Sequence, residues 1–231
     1  VAATYVGHPL ADVIPLDPPR QASRAALGLD AQAVVVAVLP GSRRSEIEYV
    51  APTFLQAAAR LHALRSELQF VLPVAPGLRA LVEPMVAEHA AQLPLRLFEG
   101  HSHEALAACD VTLIASGTAT LEAALFKRPM VIGYRMHGLS WQLMKRMGYQ
   151  PWVGLPNILC EDFVVPELLQ DDATPAALAD AVLQWLDTPA RCDSLRERFL
   201  QLHHLLRRDT ARTATDAIAQ VLADPAGRSI T

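Results

Sequence analysis

Apolar runs of five or six residues alternate along this chain with longer stretches whose apolar positions recur every three or four residues. Residues 34–39 form an unbroken, mostly β-branched run, the pattern of a central strand buried on both faces. A polar loop, Pro40-Gly41-Ser42-Arg43-Arg44-Ser45, follows. Phe54, Leu55, Ala58, Leu61, Leu64 and Leu68 then make one apolar stripe, which predicts a helix over residues 52–67 with Pro52 in its first turn. The alternation continues with a strand over 69–74, a helix over 78–92 that Pro84 bends, a strand over 95–98 and a short helix over 102–109. Next come a buried strand over 111–115, a tight Ser116-Gly117-Thr118 loop, a helix over 119–126 and a strand over 130–134. A helix is expected over 139–147, then an irregular Pro/Gly-rich stretch to Pro166, then helices over 175–222 broken near Pro189 and Arg208.

Strand–helix alternation of this kind predicts an α/β fold: a Rossmann-like parallel sheet with helices on both faces, ending in a helical tail. Residues 1–30 read as an inter-domain linker stiffened by Pro15, Pro18 and Pro19, residues 31–170 as the sheet domain, and residues 171–231 as C-terminal helices. Those helices present two apolar faces, Leu178/Val182/Trp185/Leu186 and Phe199/Leu202/Leu205/Leu206. Each is expected to pack on this domain, on another domain, or on a second subunit in a swapped homodimer. The opening Val-Ala-Ala lacks Met and runs straight into Tyr-Val-Gly-His-Pro, which reads as the middle of a longer protein with an upstream domain.

Composition narrows the picture in three ways. Hydrophobic residues at 52% and charged residues at 19% supply a full core and argue against disorder. A net charge of −4 argues against nucleic acid as a partner, so any anion binding has to be local. The three cysteines, Cys109, Cys160 and Cys192, are odd in number and widely spaced, unlike a disulfide framework or a zinc site, and suit a reducing cytoplasm.

In an open parallel sheet, ligands sit beyond the carboxyl ends of the strands, where two polar loops are predicted here. In the first, Gly41 permits a sharp turn, and Arg43 or Arg44 can offer a planar fork to a diphosphate; two ordinary surface arginines on a solvated turn would look the same. In the second, Ser116, Gly117 and Thr118 open a helix whose free N–H groups suit a phosphate. Glu122 lies about one turn inside that helix, and its carboxylate can accept hydrogen bonds from the two vicinal hydroxyls of a ribose. A capping box does not explain Glu122, because its spacing from Ser116 and Thr118 is wrong. Neither GxGxxG nor GxxxxGK[ST] occurs, which excludes the usual dinucleotide and P-loop fingerprints. His101 and His103 have no acid or cysteine at ligand spacing, so a metal site is not expected.

Five segments occur in order: VGHPL (6–10), LPGSR (39–43), SGTATLE (116–122), PMVIGYRM (129–136) and LPNIL (155–159). Together they resemble the lipid-A-disaccharide synthases, over most of the chain from about Tyr5 to at least Leu169. The SGTATLE, YRM and LPNIL series is the specific part. The resemblance implies the C-terminal, UDP-binding half of a two-domain GT-B glycosyltransferase. That family joins UDP-2,3-diacylglucosamine to 2,3-diacylglucosamine 1-phosphate and releases UDP. It implies that Gly41, Ser42 and Arg43 face the diphosphate, that Ser116, Gly117, Thr118, Ala119 and Thr120 cradle the phosphates, and that Glu122 binds the ribose. The backbone around Arg135, Met136 and His137 would meet the uracil, and Asn157 would lie near the nucleotide.

The resemblance further implies no metal and no cofactor, and a catalytic base in the N-terminal domain rather than here; His8, in the linker, reads as structural. Implied partners are the UDP-sugar donor, the acylated glucosamine phosphate acceptor and the N-terminal domain. Both substrates are acylated, which implies a cytoplasmic enzyme held peripherally at the inner face of the inner membrane. Trp141, Leu143, Met144, Lys145, Arg146, Met147, Tyr149 and Trp152 form a candidate membrane patch. Two other readings stay open: a UDP-N-acetylglucosamine 2-epimerase-like enzyme and a non-catalytic UDP-binding module.

Overall fold

The computed structural model of the chain describes residues 3–135 and 151–223. Six parallel strands form one sheet: β1 (Val35–Leu39), β2 (Gln69–Val74), β3 (Leu95–Glu99), β4 (Val111–Ala115), β5 (Met130–Tyr134) and β6 (Glu167–Leu169), in the order β3-β2-β1-β4-β5-β6. Every residue of β1 and β4 is buried, as their unbroken apolar runs require of central strands. The connecting helices are α3 (Arg44–Leu64), α4 (Arg79–His89), α5 (Ser102–Ala108) and α6 (Thr118–Leu125). After β5 come α7 (Leu155–Cys160), α8 (Pro175–Leu186), α9 (Pro189–Leu206) and α10 (Thr210–Ala223). Two short helices precede β1: α1 (Pro9–Val13) and α2 (Arg20–Ala26).

Helix α3 packs on both α4 and α8, while α2 packs on α5, and α9 on α6. Right-handed crossovers account for this division, because the chain winds outward from β1 to β3 and then returns to the other side of β1. The predicted Rossmann-like fold is the one found.

Two predicted elements differ. Helix α3 begins at Arg44, well before Pro52, because Glu46 folds back to accept hydrogen bonds from the Ser42 and Arg43 amides and starts the helix there. Pro52 then lies inside α3, where the carbonyl that loses its donor belongs to exposed Glu48 and can turn to water. The stretch expected to be irregular contains α7, with Pro156 in its first turn. The helix expected over 139–147 lies outside the described residues.

The two apolar faces of the C-terminal helices are covered by this chain itself. Leu178, Val182 and Trp185 are at most 1% exposed, and the Trp185 indole donates to the Met130 carbonyl at 3.0 Å. Phe199, Leu202 and Leu206 are buried too, but Leu205 points outward and is 52% exposed. Within one chain these faces are thus covered without a second subunit.

The segment before β1 packs onto the sheet domain: Ala11, Ile14 and Leu27 are buried, and Arg24 is 2% exposed. Arg24 donates from Nε to the Ala108 carbonyl (3.0 Å), from Nη1 to that of Ala31 (2.7 Å) and from Nη2 to Asp110 Oδ2 (2.9 Å). Asp110 Oδ2 also accepts the Val35 amide at the start of β1 (2.8 Å). Removing Arg24 strands the Ala108 and Ala31 carbonyls and takes from Asp110 one of its two cations, Arg20 remaining. Arg24→Met is expected to lower stability by about 3–5 kcal/mol, read as a lower urea midpoint with an unchanged slope.

Candidate nucleotide-binding cleft

Between β1 and β4 the order of strands reverses, and the loops leaving their carboxyl ends diverge to opposite faces. A cleft of about 380 Å³ opens there. Gly41, Ser42, Arg43 and Glu46 line one side, and Ser116, Gly117, Thr118, Ala119 and Glu122 line another. The ends of β2 and β3 complete it through residues 73–76, Gly100 and Ser102.

The α6 side presents unsatisfied donors. Its N-cap is Gly117, and no side chain caps the helix. The first N–H groups of α6 and the positive end of its dipole therefore face open space. Gly117 has φ +153° and ψ −166°, a conformation that side-chain-bearing residues rarely adopt, yet nothing lies within 4 Å of where a Cβ would stand. Its requirement is conformational, not steric. The Ser116 hydroxyl reaches the Val153 carbonyl at 3.4 Å. Glu122 stands one turn along α6, 20% exposed, with its Oε2 3.5 Å from His103 Nε2.

On the β1 side, Glu46 organises the loop. Its Oε2 accepts the amides of Ser42 (3.1 Å) and Arg43 (3.3 Å), and its Oε1 accepts from the Arg43 guanidinium (2.7 Å). A Cβ on Gly41, at φ +122°, would come within 2.8 Å of Glu46 Cβ, so glycine is needed for that carboxylate to fold back. The arginine is 78% exposed and free to swing toward a ligand.

The profile of the lipid-A-disaccharide synthetase family matches residues 1–220. This chain belongs to that family. It is 60% identical over 226 residues to the lipid-A-disaccharide synthase of Albidiferax ferrireducens, covering 96% of this chain and 58% of the relative. It is 56% identical over 227 residues to that of Verminephrobacter eiseniae, with coverages of 96% and 58%. The chain thus spans about 58% of the length of these relatives. Two solved structures are similar in shape. WaaG, a glycosyltransferase involved in lipopolysaccharide biosynthesis, superposes with a TM-score of 0.58 at 16% identity, over 91% of this chain and 54% of that one. Anabaena Alr3699/HepE in complex with UDP-glucose gives 0.56 at 15% identity, over 91% and 55%. At such identities the likeness speaks for the GT-B fold.

Of the residues that the family resemblance singled out, Gly41, Ser42, Arg43, Ser116, Gly117, Thr118, Ala119 and Glu122 converge on the cleft. Thr120 is fully buried, and its hydroxyl donates to the Gly117 carbonyl at 2.7 Å, so it fastens the first turn of α6. Arg135 donates from Nε to the Gln170 carbonyl at 3.0 Å and is not among the lining residues. Met136 and His137 lie outside the described residues, as does the candidate membrane patch apart from half-buried Trp152.

Asn157 is fully buried away from the cleft lining. Its amide donates to the Val165 carbonyl and to Glu167 Oε1, and accepts from the Val164 and Val165 amides, all at 2.8–2.9 Å. Glu167 in turn accepts the Val153 and Gly154 amides. The LPNIL asparagine thereby holds the strand of chain that meets Ser116.

Sequence reasoning missed Glu46 and His103. The Arg43–Glu46 spacing of a helix start was the available signal for the first. Nothing local pairs His103 with Glu122, nineteen positions further along. Among the described residues no three His, Cys, Asp or Glu side chains stand close enough to hold a metal ion.

Gly117→Ala is expected to cost about 1–3 kcal/mol through backbone strain alone, since the site has room for the methyl group. Chemical denaturation measures this, and a neutral substitution would contradict the conformational requirement.

Proposed function

We propose that this chain forms the donor-binding part of an enzyme that transfers 2,3-diacylglucosamine from UDP to 2,3-diacylglucosamine 1-phosphate, yielding lipid A disaccharide 1-phosphate and UDP. The observation that supports this most is the uncapped N-terminus of α6 opening into the cleft with a carboxylate one turn behind it. Four residues separate Thr118 from Glu122, about 6 Å along a helix axis, a span that suits a phosphate at one end and a sugar at the other.

In this reading the Thr118 and Ala119 amides and the Ser116 hydroxyl receive the diphosphate, and Arg43 swings from Glu46 to neutralise it. Glu122 accepts from both ribose hydroxyls. The backbone from Arg135 through His137 meets the uracil edge. Asn157 acts indirectly, by holding the segment whose carbonyl fixes Ser116. As the acceptor hydroxyl attacks the anomeric carbon, negative charge grows on the departing diphosphate, and the helix dipole and Arg43 stabilise it there. No metal enters this account. The base that takes the acceptor proton belongs to the part of the longer relatives that this chain does not span, so the chain alone binds UDP without turnover. The acylated substrates place the enzyme peripherally at a membrane; among the described residues no helix is long and apolar enough to cross one. HepE, captured with UDP-glucose, is consistent with a UDP-sugar at this position of the fold.

Isothermal titration of the chain with UDP tests the reading. Glu122→Ala is expected to weaken UDP about tenfold or more, corresponding to two hydrogen bonds to a charged group, while leaving free uracil unaffected. Equal losses for both ligands refute the ribose role. Arg43→Ala is expected to weaken UDP about 10- to 100-fold and uridine little. An equal loss for uridine shows that the arginine does not read phosphate. Disaccharide formation by the full-length enzyme, as against epimerisation of UDP-N-acetylglucosamine, separates the transferase from the epimerase reading.

A further inference from the structure

A second cavity, of about 360 Å³, opens on the edge of the sheet opposite the cleft. It lies among the turn from α6 into β5, the segment before α2, and α9. Four cationic side chains line it, Arg20, Lys127, Arg128 and Arg196, against one acid, Asp17. In a chain of net charge −4 this is a local reversal of sign.

Two of the four cations are nearly buried and, among the described residues, have no ion-pair partner. Lys127 and Arg128 are 5% and 7% exposed. Lys127 Nζ meets the Pro15 carbonyl at 3.2 Å and His203 Nδ1 at 2.8 Å. Arg128 donates from Nε to the Leu106 carbonyl (2.8 Å) and from Nη2 to that of Ala107 (2.7 Å). All of these partners are uncharged acceptors. The ion pairs of this region belong instead to Arg20 with Asp110 and Arg196 with Asp193. Burial, and then the charge of Arg128, pulls the Lys127 ammonium down to about 8, with only Asp17 opposing. Burial likewise lowers Arg128, with Arg20 and Arg196 adding to the effect. Cations taken out of water without a counter-charge are costly, and the strain is relieved when an anion enters.

We propose that this cavity binds a phosphate group, at a site separate from the nucleotide cleft. The guanidinium of Arg196, exposed on α9, offers donors to a tetrahedral anion, and Lys127, Arg20 and Arg128, which line the same cavity, supply further positive charge. Phe126 and Leu200 add an apolar wall, which suits a phosphate carried on a small organic group. The volume lies in the range of small-ligand sites, roughly 300–1,000 Å³. The phosphate can come from a soluble phosphate or from the headgroup of an anionic lipid. Because the cavity sits where β5 begins and the cleft sits where the strands end, the two sites share no lining residue.

The test uses the full chain in an Arg43→Ala background, which weakens phosphate binding in the nucleotide cleft but leaves the α6 amides, so the signal read is the part that changes at Lys127 and Arg196 remove. Titration calorimetry with inorganic phosphate is expected to show saturable binding, weakened tenfold or more by Lys127→Gln with Arg196→Gln. Arg196→Glu alone, on the exposed side of α9, gives the same direction of change without touching a buried group. In a second arm, vesicles of phosphatidylcholine with and without phosphatidylglycerol are sedimented with the same proteins. Capture by phosphatidylglycerol that the Arg196→Glu change abolishes assigns the phosphate to a lipid headgroup. Phosphate binding with no dependence of capture on Arg196 assigns it to a soluble phosphate. Binding of both probes that is undiminished by the double change and by Arg196→Glu, or no binding of either probe, overturns the proposal.

Discussion

Parallel strands joined by right-handed crossovers can wind away from a starting strand in only two directions, and this chain uses both. From β1 the sheet grows to β2 and β3 with α3 and α4 on one face; it then returns past β1 to β4, β5 and β6 with α5 and α6 on the other. The loops leaving β1 and β4 are thereby forced apart, and no backbone fills the gap between their carboxyl ends. Everything proposed for the cleft depends on this gap. It exposes the start of α6, lets Gly117 end the loop without a side-chain cap, and brings the β1 loop alongside from a segment more than seventy residues distant.

A crevice made of loops needs those loops held, and polar hubs hold them. Glu46 gathers two amides and a guanidinium at the start of α3. Asn157 and Glu167 together tie down residues 153–165, and through the Val153 carbonyl they reach Ser116. Asp110 locks the amide that begins β1 to Arg24, joining the N-terminal segment to the sheet. The Asn157 and Asp110 hubs satisfy groups that would otherwise be stranded out of water, where an unpaired donor or acceptor costs roughly 1–3 kcal/mol. The cleft donors on α6 are the contrast. They are left unsatisfied by protein on the side facing open space, which is where a ligand can supply what the helix lacks. Lys127 and Arg128 show the same imbalance at the far edge of the sheet, with charge in place of amide dipoles.

Much of this was legible from residue order. Runs such as 34–39 and 111–115 are short, β-branched and almost wholly apolar, the pattern of central parallel strands, and the small polar loops after them mark the carboxyl edge. The motif series from SGTATLE to LPNIL pointed to the family that the whole-chain match shows. Helix boundaries read less well. Pro52 looked like a beginning, because a first turn tolerates proline, but a carboxylate three residues after Arg43 already had the helix under way. Local propensity does not register a side chain that folds back to its own loop.

What the order of residues determined was the alternation of elements, the side of each strand on which ligand-binding loops emerge, and the chemical kinds of group in those loops; these depend on neighbours only a few positions apart. What tertiary structure alone decided was which groups meet. Asn157 was legible as part of a functional motif, yet packing turned its amide inward to four bonds that leave no hydrogen-bonding capacity for a nucleotide. His103 reached Glu122, and Lys127 and Arg128 came to share a cavity with Arg20 and Arg196, through contacts between distant segments. Periodicity carries no information about such contacts, since they arise only after the strands have chosen their order.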